Sequence, residues 1–290
     1  MALTKEQIEQ AVRSILYQDI DFRIELFKHE DGEDFYKNIY KIVSINQQYV
    51  FKEVKDRELD VYKSLNNSFD LFPRLYGSYR FFSDYILIEY VDGKNANKLD
   101  RNILKMIIDS IIKIQKSYWG LKSEIGVSKE KAVTRIEERF KYLPDEFKPT
   151  YQMFIDCFKK TPSTFSHEDL LPFNVLIKDG RVCFIDLEEV GILPYPKMLS
   201  RLIAFGEEKD DALFFLKKED YNFAIEYYYD FFVKSKNISK DDYLKTMDLF
   251  IFNELIEWVY VYKHANIKPD DFYQKWYDKA YNKLKDINDK

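Results

Sequence analysis

The sequence predicts an α+β protein with a β-rich N-terminal region and a mainly helical C-terminal region. Between residues 22 and 54, three segments rich in β-branched and aromatic residues alternate with polar, turn-like segments, which indicates an antiparallel meander. From Asp100 onward, isoleucines recur at the helical period. One β-like island interrupts this region at residues 174–187, where Asp179-Gly180 between two apolar runs predicts a hairpin.

The remaining elements follow from local signals. Thr4 and Gln7 form a capping-box pattern that opens a first helix, ending near Tyr17. A second helix is predicted over residues 56–65, and Glu58 lies on its apolar face. Two further strands are predicted within residues 72–90, whereas residues 128–160 read as helix broken at Pro144 and Pro149.

This order of elements predicts a bilobal molecule. Residues 1–92 form a β-rich N-lobe, and residues 93–290 form a mainly helical C-lobe that contains the hairpin. The link lies near residues 89–99. A cleft between two such lobes is a usual place for a ligand, so we expect the binding site there.

Composition excludes several classes of protein. The 290 residues carry 45 Lys and Arg against 50 Asp and Glu, so no basic excess points to nucleic acid. Cys157 and Cys183 are the two cysteines and show no C-x-x-C spacing, which fits the reducing cytoplasm. The first residues contain no long apolar region, so we expect no signal peptide, and we expect no membrane span because no segment approaches the roughly 20 apolar residues that one needs.

The most informative segment is Ser-His-Glu-Asp-Leu-Leu-Pro-Phe-Asn at residues 166–174, followed by the hairpin and Asp186. Phosphoryl transfer to an alcohol needs a positioned hydroxyl, a group that accepts its proton, and cations that neutralise the phosphates. Asp169 in a tight loop can orient the hydroxyl and take the proton. Asn174 and Asp186 offer oxygen ligands of the kind that Mg²⁺ prefers.

The pattern H-x-D-L-x-x-x-N, a short hairpin and I-D resembles the aminoglycoside phosphotransferase and choline kinase family, which are small-molecule relatives of protein kinases. The resemblance implies a bilobal protein-kinase-like fold and phosphorylation of a small-molecule hydroxyl with ATP (or GTP) and Mg²⁺. It implies Asp169 as the catalytic base, with Asn174 and Asp186 as magnesium ligands. It covers roughly residues 20–205.

The same resemblance implies a nucleotide site in the N-lobe. Lys52 lies on the third predicted strand and Glu58 on the helix that follows, so an ion pair between them would hold Lys52 against the phosphates. The backbone of Glu89, Tyr90 and Val91 would bind adenine.

Several positions depart from the family pattern. Glu168 stands where glycine is usual, and Gly32 is the one glycine of the expected phosphate-covering loop. The Asp that often follows the hairpin is missing, although Gly191 is present. Gln115 and Lys116 occupy the place of a frequent histidine in the helix after Asp100.

Other residues have two interpretations each. His167 either braces its loop, as the family implies, or ligates a metal. Glu188 and Glu189 are either surface carboxylates or contacts for a second metal or a cationic substrate. The acidic clusters at residues 207–211 and 241–242 are either helix starts or a rim that attracts a polycation. The aromatic runs at residues 227–232 and 258–260 are either helical core or a cage for a quaternary ammonium.

The acceptor stays open at this point. An aminoglycoside-type antibiotic, with a role in antibiotic resistance, is slightly preferred over a metabolite such as choline, ethanolamine, a sugar or homoserine. A non-catalytic kinase-like binding protein is a rival that usually lacks a catalytic group. A protein kinase would carry H-R-D, D-F-G and A-P-E, and this sequence carries none of them. The oligomeric state is not predicted.

Overall fold

The structure is a computed structural model, and it describes residues 3–17, 20–28, 35–55, 57–65, 70–121, 125–209 and 212–289. The expected phosphate-covering loop around Gly32 lies outside the described residues. Contacts between Cα atoms divide the chain into two compact units, of which the first comprises residues 1–94 and 176–189 and the second residues 95–175 and 190–290. The hairpin thus groups with the first unit, although the predicted boundary at residue 92 puts it in the C-lobe.

Helices are concentrated in the second unit. The helices of the described residues are α1 (Lys5–Leu16), α2 (Glu58–Leu65), α3 (Arg101–Tyr118), α4 (Lys129–Phe140), α5 (Lys148–Lys160), α6 (Lys197–Ile203), α7 (Lys218–Phe231), α8 (Lys240–His264) and α9 (Asp271–Asn288).

Strands are concentrated in the first unit. The strands of the described residues are β1 (Phe22–Lys28), β2 (Phe35–Ser44), β3 (Gln48–Glu53), β4 (Leu75–Arg80), β5 (Asp84–Glu89), β6 (Lys94–Asn95), β7 (Lys98–Leu99), β8 (Ser163–His167), β9 (Val175–Lys178), β10 (Arg181–Phe184), β11 (Val190–Pro194) and β12 (Phe215–Leu216).

The first unit is built on a five-stranded sheet with the order β1-β2-β3-β5-β4, in which each neighbouring pair is antiparallel. The predicted meander is confirmed as β1 to β3. Helix α1 begins with the predicted capping box of Thr4 and Gln7. Its apolar stripe, which includes Ile8 and Val12, belongs to the same buried cluster as Phe51 of the sheet, so the helix covers one face of the sheet.

Helix α2 positions one charged side chain inside the first unit. Val61, Tyr62 and Leu65 are buried on one face, and Glu58 is buried with them at 1% exposure. The predicted apolar face of this helix is therefore confirmed. A carboxylate at such a place needs a hydrogen-bonded partner of opposite charge, because an isolated buried charge is strongly unfavourable.

The second unit is mainly helical, as predicted. The long helices α8 and α9 pack on each other, α3 packs on α7, and α5 packs on α8. One expectation within it was wrong: Pro149 does not break a helix but occupies the first turn of α5. Proline is well tolerated there because the first turn needs no backbone donor. No helix of the described residues is long and apolar enough to cross a membrane.

An antiparallel pair of strands, β8 and β11, lies within the helical unit and pairs His167 with Val190. All five residues of β11 are buried. Gly191 in this strand is required sterically, since a Cβ atom there would lie 2.3 Å from the carbonyl oxygen of Val127. The pair delivers the chain to the loop that follows His167.

Candidate functional site

Lys52 is the centre of a charged group in the first unit. Its ammonium nitrogen lies 2.9 Å from Oε1 of Glu58 and 3.2 Å from Oδ1 of Asp186. Burial lowers the pKa of Lys52, but the attraction of Glu58 and Asp186 outweighs it, so the net pKa is raised. Lys52 is therefore a cation, held in one place by two carboxylates.

Asp186 follows β10 and has a left-handed backbone, with φ of 61°. Asp is one of the few residues other than glycine that tolerate this conformation. The chain then makes a short 3₁₀ turn at Leu187–Glu189, in which the Glu188 carboxylate lies 3.3 Å from Lys55. The turn directs the Asp186 carboxylate to Lys52 while 42% of its side chain stays exposed.

The predicted adenine-binding segment ends strand β5. The N–H groups of Glu89 and Tyr90 already donate to the carbonyls of Arg74 (2.8 Å) and Gln48 (3.2 Å). The Glu89 carboxylate accepts from both terminal nitrogens of Arg181 on β10, at 2.9 and 3.3 Å. Arg181 thus clamps the hairpin to the end of β5.

Asp169 is the centre of the group in the second unit. Its N–H donates to Nδ1 of the buried His167 at 3.3 Å, so His167 braces the loop. The chain then forms a 3₁₀ turn at Pro172–Asn174. Nδ2 of Asn174 donates to the carbonyl oxygen of Asp169 at 2.8 Å and to its Oδ2 at 3.1 Å. These bonds orient the amide so that its oxygen points away from Asp169.

Arg201 is a further member of this group that the sequence analysis missed. Its Nη2 lies 2.8 Å from Oδ1 of Asp169, while its Nη1 contacts Glu254 (3.2 Å) and Glu257 of helix α8. Burial lowers the pKa of Arg201, but these carboxylates outweigh it and raise the net pKa. A signal existed: Lys197 and Arg201 are one helical turn apart in the otherwise apolar segment at residues 192–205.

Two departures from the family pattern have structural explanations. Glu168, in place of glycine, forms an ion pair with Arg135 of α4, so its charge beside Asp169 is compensated. Gln115, in place of histidine, is fully buried. Its Nε2 donates to the carbonyls of Phe165 (3.2 Å) and Tyr195 (3.1 Å), so it ties α3 to the segments around β8 and β11.

The interpretation of the acidic clusters as helix starts is correct for residues 241–242 and wrong for residues 207–209, which precede α7 by several positions, whereas residues 210–211 lie outside the described residues. Asp241 and Asp242 lie in the first turn of α8, where the helix dipole favours acids. Glu207 is paired with Lys275 and Lys279 of α9, at 2.5 and 3.0 Å. The aromatic run at residues 227–232 contributes to the core through the buried Tyr228, Tyr229 and Phe232, although Phe231 is exposed. In the run at residues 258–260, Val259 is buried, and Trp258 and Tyr260 are half-buried.

The predicted site residues therefore form two groups. Lys52, Glu58 and Asp186 meet in the first unit, and Asp169 and Asn174 meet in the second. The proposed magnesium ligands Asn174 and Asp186 belong to different units, so their pairing stays a prediction. Among the residues that the structure describes, no three His, Cys, Asp or Glu side chains are grouped as metal ligands.

Comparison with known proteins places the fold. No protein-family model matches the chain, and no curated protein sequence matches it. Solved structures do match. The choline kinase LicA from Streptococcus pneumoniae is 15% identical with a TM-score of 0.61, and the alignment covers 97% of this chain and 99% of that one.

Two further structures are similar. The aminoglycoside phosphotransferase from Alicyclobacillus acidocaldarius is 13% identical with a TM-score of 0.61, covering 94% of this chain and 93% of that one. The amicoumacin kinase hAmiN, solved with AMP-PNP, Ca²⁺ and Ami, is 12% identical with a TM-score of 0.59, covering 99% and 94%. The chain thus has the protein-kinase-like fold of small-molecule kinases, which confirms the predicted fold class.

Proposed function

We propose that this protein is an ATP- and Mg²⁺-dependent phosphotransferase that phosphorylates a hydroxyl of a small molecule. The observation that carries the proposal is the contact of Lys52 with both Glu58 and Asp186, at 2.9 and 3.2 Å. A lysine held by a buried glutamate, beside a second carboxylate, is the arrangement with which kinase-like enzymes bind phosphates and metal. The fold of the similar kinases supports the same function.

Each group has a role in this reaction. Lys52, fixed by Glu58, contacts the phosphates of the nucleotide. Asp169 orients the acceptor hydroxyl and accepts its proton. The hydroxyl must lose this proton because its oxygen forms the new bond to the γ-phosphorus as ADP leaves. His167 and Asn174 hold Asp169 in place from its backbone and its carboxylate.

Asn174 and Asp186, each considered within its own unit, offer ligands of the kind that a magnesium ion prefers. Asn174 uses its amide nitrogen for Asp169, which leaves its oxygen for a cation. The partly exposed Asp186 adds a carboxylate. Hard oxygen ligands of this kind, completed by phosphates, suit Mg²⁺, which neutralises phosphate charge when bound. The amicoumacin kinase was solved with AMP-PNP and Ca²⁺, which supports nucleotide and divalent-metal binding here.

The adenine contact can be narrowed to one backbone donor. Because the N–H groups of Glu89 and Tyr90 already donate within the unit, we assign the donor for a base nitrogen to Val91. A backbone N–H can donate to N1 of adenine or to O6 of guanine, so this contact leaves both ATP and GTP as candidate phosphate donors.

The acceptor is a small molecule. The similar kinases act on choline, aminoglycosides and Ami, according to their names. An antibiotic of aminoglycoside type or a metabolite such as choline, ethanolamine, a sugar or homoserine are the candidates. We place the protein in the cytoplasm, where the free Cys157 and Cys183 stay reduced. Burial raises the pKa of the Cys183 thiol to about 12, so that thiol is unreactive.

The experiment that tests this function is an ADP-release assay with MgATP across aminoglycosides, amines, sugars and polyols. Asp169→Asn should lower kcat by roughly 10²–10⁴-fold without loss of ATP binding. Asp145→Asn, at a carboxylate that is 94% exposed, is the matched control and should be fully active. Full activity of Asp169→Asn would remove Asp169 from its role as base.

A further inference from the structure

Three carboxylates of the second unit converge on one guanidinium group. Arg201 contacts Asp169 with Nη2 at 2.8 Å and Glu254 with Nη1 at 3.2 Å, and Nη1 also contacts Glu257. Asp169 comes from the loop after β8, and both glutamates come from α8. The three acids thus surround a position at which a cation is strongly stabilised, and Arg201 fills it.

The charges around this position are balanced. Lys197 lies 2.6 Å from Glu254, and Arg139 lies 3.6 Å from Glu257. We call these six groups the charge cluster, and its members are Arg139, Asp169, Lys197, Arg201, Glu254 and Glu257. Its three carboxylates and three cations sum to zero.

The cluster cannot easily exchange its cation. The side chain of Arg201 is 12% exposed and that of Glu254 is 1% exposed. Moving Arg201 away would leave three carboxylates with only Lys197 and Arg139 as counter-ions, and an uncompensated negative charge beside the buried Glu254 is strongly unfavourable. An incoming ammonium group would therefore have to compete with a cation that is covalently part of the protein.

We propose that Arg201 is a specificity-determining residue that occupies, from within the protein, the cation position formed by Asp169, Glu254 and Glu257. The acceptor consequently presents a neutral, hydroxyl-bearing group to Asp169, as a sugar or polyol does, and no ammonium group. This inference rests on the proposed function, in which Asp169 is the base. It selects among the acceptors considered above and disfavours choline, ethanolamine and the polycationic aminoglycosides.

Arg201 leaves Asp169 able to accept a proton. Arg201 contacts Oδ1 and Asn174 contacts Oδ2, but each carboxylate oxygen can accept a second hydrogen bond. The two contacts fix the plane of the carboxylate, so its remaining lone pairs have defined directions. Arg201 is in this sense also a positioning residue for the base.

The cation position can be tested without a substrate. Arg201→Ala removes the guanidinium, and methylguanidinium has the shape of the missing group. We expect methylguanidinium to raise the Tm of Arg201→Ala saturably, whereas the wild type should show no saturable rise. Arg201→Ala/Glu257→Gln should bind the probe more weakly. If Arg201→Ala does not fold, Arg201→Gln serves for the same measurement. Absence of a saturable rise in the variant that folds would overturn the proposal.

Acceptor preference is tested with pairs of candidate acceptors whose members differ by one positive charge. One pair is choline and its isostere with carbon in place of the charged nitrogen, and the other is glucosamine and glucose. In the ADP-release assay, the wild type should have a kcat/KM at least about tenfold higher for the neutral member. Arg201→Gln should shift this ratio toward the ammonium compound. A wild type that prefers the ammonium members would overturn the proposal. If neither pair of compounds is phosphorylated, the effect of methylguanidinium on Tm decides whether the proposal stands.

The two experiments keep this inference separate from the proposed function. Methylguanidinium binding by the Arg201 variant depends on neither nucleotide nor turnover. The proposed function would instead fail if the wild type did not bind MgATP, or if it bound MgATP no better than a Lys52 variant does. Arg101→Ala is the control for the general effect of losing a paired arginine, because it removes a 3.0 Å ion pair with Asp220. It should leave acceptor preference unchanged.

Discussion

The ammonium of Lys52 lies 3.2 Å from Oδ1 of Asp186, although 134 positions separate the two residues in the sequence. Strand β3 supplies the lysine, and the chain after β10 supplies the carboxylate. Helix α2 adds Glu58 on the other side of the ammonium, at 2.9 Å. The cation that we propose binds phosphates and the carboxylate that we propose binds the metal are therefore held in one compact unit by a buried third charge.

Replacement of Lys52 by methionine should abolish most of the activity. We expect Lys52→Met to lower kcat/KM for ATP by about 10²-fold or more, because a preorganised cation at the phosphates is lost. The same change leaves Glu58 buried without its cation, which should lower the free energy of unfolding by about 3–5 kcal/mol. ADP release and urea unfolding measure the two effects.

A double variant separates these effects. Lys52→Met/Glu58→Leu removes both buried charges and should recover stability but no activity. Lys63→Met, at an exposed position of α2, is the control and should match the wild type in both measurements. Recovery of activity in the double variant would mean that Lys52 acts only on stability.

Replacement of Asp186 by asparagine should raise the requirement for magnesium. The change keeps the shape of the side chain and the tolerance for the left-handed backbone at φ of 61°, but it removes the charge that we propose binds the metal. We expect the Mg²⁺ concentration for half-maximal rate to rise by about 10–100-fold, as measured by ADP release at fixed ATP.

The chain offers a matched control for this variant. Asp179 also has a left-handed backbone, with φ of 49°, and its side chain is exposed at the hairpin turn. Asp179→Asn should leave the magnesium requirement unchanged. An unchanged requirement in Asp186→Asn as well would exclude Asp186 as a metal ligand.

Replacement of Gly191 by alanine should destabilise the second unit. The new Cβ would lie 2.3 Å from the backbone oxygen of Val127, so strand β11 or residue 127 must move. The free energy of unfolding should fall by about 1–3 kcal/mol or more. Gly120→Ala controls for backbone conformation alone, because Gly120 has φ of 70° and open space around it. A smaller loss for Gly191→Ala than for Gly120→Ala would contradict the steric argument.

The charge cluster predicts a pH dependence of stability. Burial raises the pKa of Glu257, but Arg201, Arg139 and Lys197 outweigh it and lower the net pKa below the ordinary value of 4.5. A carboxyl with a lowered folded-state pKa stabilises the protein above its unfolded pKa, and this stability is lost as the pH falls through the folded pKa.

We therefore expect Glu257→Gln to reduce the free energy of unfolding most near neutral pH and progressively less below about pH 4.5. Urea unfolding at a series of pH values measures the difference. Glu138→Gln, at an exposed pair with Lys141, should show little difference at any pH. A difference for Glu257→Gln that does not change with pH would contradict this assignment.

Most of the fold could be predicted because its signals are local. The capping box at Thr4, the apolar face of α2 and the hairpin at Asp179-Gly180 each depend on residues within about one turn or one strand pair. The pairing of Lys52 with Glu58 was implied by the family resemblance, and the two residues lie six positions apart. The bracing of the loop by His167 came from the family resemblance.

The charge cluster could not be predicted because its members come together only through tertiary packing. Arg139, Arg201 and Glu254 come from three different helices, and no sequence period connects them. The compensation of Glu168 by Arg135 depends on the packing of α4 in the same way. Pro149 was misread because proline breaks a helix interior but fits its first turn.

The contact of Arg181 with Glu89, at 2.9 Å, joins the strand end assigned to the purine ring to the hairpin that leads to Asp186. A variant at either residue should therefore disturb base recognition and metal affinity together. Steady-state titrations of nucleotide and of metal would then change in parallel, even though neither side chain contacts a phosphate in the proposed reaction. An inhibitor that binds to the backbone at Glu89 should, through the same contact, change the affinity for the metal that we propose binds at Asp186.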